Sequence, residues 1–151
     1  MHPTRNSAAL KFKGSSGRVM PGVGCLSGMA DDLTIPERRK LSLDERKLIE
    51  WLLTNGTTEA RSFASQLPLL TVVSRCTCGC PSVDLAIGER ESRTVGASTI
   101  LADAIGHSPD GSAVGVILHA RQGEISELEV YSQDGEAKIF SLPKPEMLEA
   151  I

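Results

Sequence analysis

The spacing of apolar residues along this chain changes from helical to alternating near residue 69. Leu48, Ile49, Leu52 and Leu53 form a stripe at helical spacing, preceded by Ser42-Leu43-Asp44-Glu45. In that capping-box pattern the serine hydroxyl and the glutamate carboxylate satisfy orphan N–H groups reciprocally, so the sequence predicts a helix starting there. Asn55-Gly56 predicts its end, through a residue in the left-handed conformation. A second helix is expected after Thr57 or Thr58, with Ala60, Phe63, Ala64 and Leu67 at helical spacing and Pro68 as its terminator.

Beyond residue 69 the period is two. Val83, Leu85 and Ile87 alternate with Ser82, Asp84 and Ala86, as in a strand with one buried face. Thr77-Cys78-Gly79 suits a three-residue hairpin loop that pairs Cys76 with Cys80. In that register Leu69, Thr71 and Val73 share the inner face with Val83, Leu85 and Ile87, while Ser74, Cys76, Cys80, Ser82 and Asp84 share the outer one. Arg121-Gln122-Gly123 predicts a second hairpin of the same kind. It turns Val114, Val116, Leu118, Leu128 and Val130 to one face and His119, Glu127 and Glu129 to the other. Residues 96–106, with Ile100, Leu101 and Ile105, read as a strand, and Ser108-Pro109-Asp110-Gly111 as the turn that follows. A further turn at Gln133-Asp134-Gly135 predicts a short edge strand from Lys138 to Leu142. The expected fold is α+β, with two N-terminal helices packed on one face of a five- or six-stranded antiparallel, largely meandering sheet.

Composition narrows the class. The 151 residues, 40% hydrophobic and 23% charged, suit one packed domain. Aromatics are 3%, with Trp51 and Tyr131 the sole Trp and Tyr, so the core is expected to be aliphatic and base stacking is disfavoured. Residues 1–35 are rich in Gly and Ser and lack periodicity. They are expected to be a disordered extension to a single domain at 36–151. A transit peptide is the alternative for this basic start, as is a functional chain beginning at Met20 or Met29. Net charge is −3, but Arg5, Lys11, Lys13 and Arg18 stand in an acid-free start, which leaves 12 bases against 19 acids in residues 29–151. An acidic body argues against nucleic acid as a partner. No apolar run approaches the ~20 residues that span a bilayer, so no membrane partner is expected and the chain reads as cytoplasmic.

The one local signature with chemical content is Cys76-Thr77-Cys78-Gly79-Cys80. As a zinc site it offers Cys76, Cys78 and Cys80, three ligands where a tetrahedral structural site uses four. His107 or His119 would have to supply the fourth, and nothing in the sequence brings either near. As a redox site it offers a disulfide across the hairpin or between Cys78 and Cys80. The plain alternative is that Cys76 and Cys80 are small residues at a hairpin end. Ser82, Ser98, His119, Glu127 and Glu129 contain the residue types of a hydrolase, but no nucleophile elbow accompanies them. Glu124, Glu127, Glu129, Asp134 and Glu136 concentrate acidity on the last hairpin, a surface suited to steering a basic protein partner.

Three segments also carry a resemblance: Arg75-Cys76-Thr77-Cys78-Gly79-Cys80-Pro81-Ser82-Val83, Gly115-Val116-Ile117-Leu118-His119 and Ser126-Glu127-Leu128-Glu129-Val130-Tyr131. Over residues 40–145 the chain resembles a set of small bacterial proteins with an N-terminal helix, an Arg-Cys-x-Cys-Gly-Cys-Pro hairpin and a final Leu-x-Glu-Leu-Glu strand. The resemblance implies one bacterial domain and no activity. The expected function is a small binding or interaction protein, of the immunity or regulatory kind, acting through Glu127 and Glu129. The alternative is metal binding or thiol redox chemistry at Cys76, Cys78 and Cys80.

Overall fold

A computed structural model describes residues 34–91 and 96–151. The expected disordered extension falls outside these residues, except that Thr34 and Ile35 already belong to a strand. That strand, β1 (Thr34–Lys40), precedes helix α1 (Leu43–Asn55) and a 3-10 helix (Ala60–Leu69). Then come β2 (Leu70–Cys76), β3 (Val83–Ile87), β4 (Thr99–His107), β5 (Ala113–Arg121) and β6 (Glu124–Ser132). A short 3-10 turn (Pro145–Met147) leads into β7 (Leu148–Ala150).

The fold class is as expected, α+β with an antiparallel sheet, but among the described residues the sheet has seven strands in the order β1-β2-β3-β6-β5-β4-β7. Two strands that alternation did not reveal lie at its edges. In β1, Pro36 interrupts the pattern; proline is tolerated there because an edge strand need not donate on both sides. β7 has three residues, too few to show a period. Conversely, Lys138 to Leu142 forms no strand. The turn before it exists, organised by Asp134, which accepts from Ser132 Oγ at 2.6 Å, Glu136 N at 2.9 Å and Ala137 N at 3.2 Å. The chain then leaves the sheet, burying Ile139 and exposing Phe140.

The first helix starts as its capping box predicts: Ser42 Oγ accepts from Glu45 N at 3.1 Å, and Glu45 Oε2 accepts from Ser42 N at 2.7 Å. Its end differs. Gly56 has φ −84°, so the left-handed stop is absent. Glycine is needed there because a Cβ would lie 2.4 Å from the Leu101 carbonyl oxygen and 2.7 Å from Ala102 Cβ. Thr57 N donates to Leu101 O at 2.8 Å, so the helix ends by docking onto β4. The second helix is 3-10 rather than α, and Pro68 lies inside it. Of its four expected apolar contacts, Ala60 and Leu67 are buried and Phe63 packs at the margin, while Ala64 is exposed.

Both helices join the core on one face of the sheet, where Leu48, Ile49, Leu52 and Leu53 meet Val72, Leu85, Leu101, Val116, Leu118, Leu128 and Val130. Each fully buried aliphatic side chain contributes about 1.5–3 kcal/mol through removal from water.

Two registers depart from expectation. In the β2–β3 hairpin Arg75 pairs with Val83, Val72 with Leu85 and Leu70 with Ile87, with an irregularity between Val72 and Ser74. The connection therefore spans residues 76–82 and is longer than a three-residue loop. Leu70 and Val72 face the core instead of Leu69, Thr71 and Val73, and Leu69 is 54% exposed. The irregularity restores the outer face beyond it, so Ser74 and Asp84 are partners. In the β5–β6 hairpin the turn is the two residues Gln122 and Gly123, at φ 53° and 78°, a type I′ geometry matched to strand twist. A bulge between His119 and Ala120 absorbs the difference. The expected faces survive: Leu118 pairs with Leu128, Val116 with Val130 and His119 with Glu127.

Candidate functional site

Two clusters gather the residues singled out from the sequence. The first is the tip of the β2–β3 hairpin. Cys76 closes β2 and its N–H donates to Ser82 O at 3.4 Å, while Gly79 N donates to Cys76 O at 3.4 Å. This tight reversal folds the three cysteines back on one another, and their Sγ atoms all lie within 4.8 Å. Cys76 and Cys80 are each disulfide-bonded. Cys78 is an exposed thiol, with its Sγ 2.9 Å from Cys76 Sγ. Cys78 N donates to Cys76 Sγ and Cys80 N to Cys78 Sγ, each at 3.4 Å, which orients the sulfurs. The loop is short enough for an extended-strand separation not to apply. Cys80 also lines a cleft of about 690 Å³ shared with Arg39, Arg75, Phe140 and Lys144.

The second cluster lies on the sheet face away from the helices. His119 on β5 pairs across the ladder with Glu127 on β6, and Glu129 stands two residues further along the same face. His119 Nε2 is 2.9 Å from Glu129 Oε1, and His119 Nδ1 is 2.7 Å from Ser98 Oγ. On the far side of Glu127 the β3–β6 pairing brings in Asp84, itself bonded to Ser74 Oγ. Arg121 Nη1 approaches Glu127 Oε2 at 3.7 Å.

Burial governs the electrostatics. Glu127 is 4% exposed. Loss of solvation pushes its carboxyl up to about 7; the neighbouring Asp84 and Glu129 charges add to that and the His119 and Arg121 charges oppose it. Asp84 is also raised, chiefly by burial, against the bond from Ser74 and the charge of Arg121.

Glu127 and Glu129 therefore turn toward His119 and do not form an exposed acidic patch. Ser98, His119 and Glu129 do form a hydrogen-bonded chain, whereas Ser82 is elsewhere: its Oγ accepts from Val130 N at 2.8 Å and donates to Val130 O at 3.1 Å. His119 joins the two glutamates rather than the sulfurs, and His107 is exposed at the end of β4. Sequence reasoning missed Asp84 and Ser74 as members of the polar row, because the β3–β6 pairing that places them is non-local. Among the described residues no helix is long and apolar enough to cross a membrane. Comparison of the chain with protein-family models, with curated proteins and with solved structures finds no match in any of the three.

Proposed function

We propose that this protein is a thiol–disulfide protein whose chemistry resides in Cys76, Cys78 and Cys80. The observation that carries the reading is the approach of the Cys78 sulfur to 2.9 Å from the disulfide-bonded Cys76, with Cys80, also disulfide-bonded, within 4.8 Å; the reading pairs Cys76 with Cys80. A thiolate attacks a disulfide sulfur and expels the other as a new thiolate. Attack by Cys78 on Cys76 forms a Cys76–Cys78 bond and releases Cys80 as thiolate, with no net oxidation. Reduction by an external dithiol delivers two electrons and two protons and yields three thiols; oxidation of those thiols by a disulfide substrate returns the pair. Support also comes from the cleft, which Cys80 lines and which gives a substrate a concave approach to the hairpin.

The test is a thiol count by mass spectrometry on the full chain carrying Cys25→Ser. One alkylatable cysteine before reduction and three after, recovered reversibly, is the expected result, and Cys78→Ser would slow exchange of the remaining pair. Three thiols alkylated at all times, or three sulfurs carrying a stoichiometric metal ion, would remove the redox reading.

A further inference from the structure

We infer that His119, Glu127 and Glu129 form a binding site for a divalent transition-metal ion, separate from the cysteine hairpin. The ladder register sets His119 opposite Glu127, and the alternation of β6 puts Glu129 on the same face. One ligand atom from each of the three lies within 4.8 Å of the others. These groups sit on rigid strands, so the arrangement costs little ordering to assemble around an ion.

An observation independent of the cluster's spacing points to an ion in this position. Glu127 is more than nine-tenths buried, and its Oε2 has no hydrogen-bond partner; the Arg121 guanidinium, at 3.7 Å, stands beyond hydrogen-bonding distance. A buried carboxylate oxygen left in that condition is costly, and a coordinated cation is one way to satisfy it. The imidazole stands where it can join that oxygen: His119 Nδ1 is 2.7 Å from Ser98 Oγ and Nε2 is 2.9 Å from Glu129 Oε1, so the tautomer with its proton on Nδ1 would offer Nε2 as a ligand. An imidazole held through its other nitrogen is the usual support of a metal-bound histidine.

Charge agrees with valence. Asp84, Glu127 and Glu129 carry three negative charges against the single positive charge of Arg121, a surplus of two when all are ionised. One imidazole with two carboxylates suits Zn²⁺, Mn²⁺ or Fe²⁺ better than the soft ions that thiolates select. Three protein ligands leave a position for water, the arrangement of catalytic rather than structural zinc sites.

The test is titration of the reduced full chain with Co²⁺ and, separately, Zn²⁺. Cobalt on nitrogen and oxygen ligands shows visible ligand-field bands without the near-ultraviolet sulfur-to-cobalt band that thiolates produce, so the two clusters are read apart in one spectrum. Expected are one ion per chain with the nitrogen–oxygen spectrum, binding weakened at least about tenfold in Ser98→Ala, which removes the support of the imidazole, and lost in His119→Ala. Glu127→Gln keeps the side-chain shape and guards against a folding defect in the histidine variant; it should also lose the ion. Unchanged binding in His119→Ala and Glu127→Gln, a spectrum of sulfur ligation only, or no binding would overturn the inference. The thiol count above is unaffected by any of these outcomes.

Discussion

Arg39 grips Glu45 with both prongs of its guanidinium, Nη1 to Oε2 and Nη2 to Oε1, each at 2.8 Å. Because Glu45 is also the carboxylate of the α1 capping box, one side chain joins the edge strand β1 to the first turn of the helix. Arg39→Ala is expected to cost about 1–2 kcal/mol, a value below that of a fully buried charged bond because the Arg39 side chain is 39% exposed. Arg39→Lys should recover only part of it, since an ammonium cannot match the fork. Chemical denaturation of the three proteins checks this.

The same pair sets a pH dependence. Burial alone would raise the Glu45 carboxyl, but the bonds from Arg39 and Ser42 outweigh it and hold the group below its ordinary 4.5. Its stabilisation is therefore complete above 4.5 and is lost as pH falls through the lower folded-state value. Thermal midpoints followed on acidification should drop further in the native chain than in Glu45→Gln.

Glu127 has the opposite sign. A folded-state carboxyl at about 7, above the ordinary 4.5, means the native state holds the proton more firmly. In metal-free protein its contribution declines as pH rises from 4.5 through about 7. Glu127→Gln should consequently stabilise metal-free protein by about 1–3 kcal/mol at alkaline pH and by nothing below the unfolded-state value. Equal stability of the two proteins across that range would contradict the buried, charged carboxylate described above.

Gly115 lies under the ring of Tyr131, its register partner, and a Cβ there would fall 2.1 Å from Tyr131 Cζ. Gly115→Ala should displace the ring and destabilise the domain by about 1–3 kcal/mol, the usual cost of overpacking. Gly115→Ala combined with Tyr131→Ala should cost less than the sum of the two changes, which a double-mutant cycle measures.

Ser82 Oγ spans both backbone groups of Val130 while almost wholly buried. Ser82→Ala leaves that N–H and carbonyl unmatched by the hydroxyl, for an expected loss of about 1–3 kcal/mol by denaturant titration.

How much of this was legible beforehand depended on how local each determinant is. The capping box at Ser42 and Glu45, the α1 stripe, and the turns at Asp110, Gly123 and Asp134 are set within a few residues, and the sequence displays them. The face shared by His119, Glu127 and Glu129 was also readable, because its parity survives a bulge that exchanges a three-residue loop for a two-residue turn. The β2 face was not, since Leu69, Leu70, Val72 and Val73 are all apolar and either alternate set satisfies the pattern. Nor was β1, whose Pro36 and charged residues hide an edge strand, nor the meeting of Asp84 with Glu127, which no spacing within either strand reveals.

That meeting has a mechanical side. β3 touches β6 through two register pairs, Val83 with Leu128 and Asp84 with Glu127. The β1–β3 and β4–β7 blocks are each laced far more extensively by their own ladders. The sheet thus has a short zipper at its middle, and its amides should be first among the interior strands to exchange with solvent deuterium when the two blocks part. A cation lodged beside Glu127 would rivet that opening, tying the rate of breathing at the centre of the molecule to the ionic composition of its surroundings.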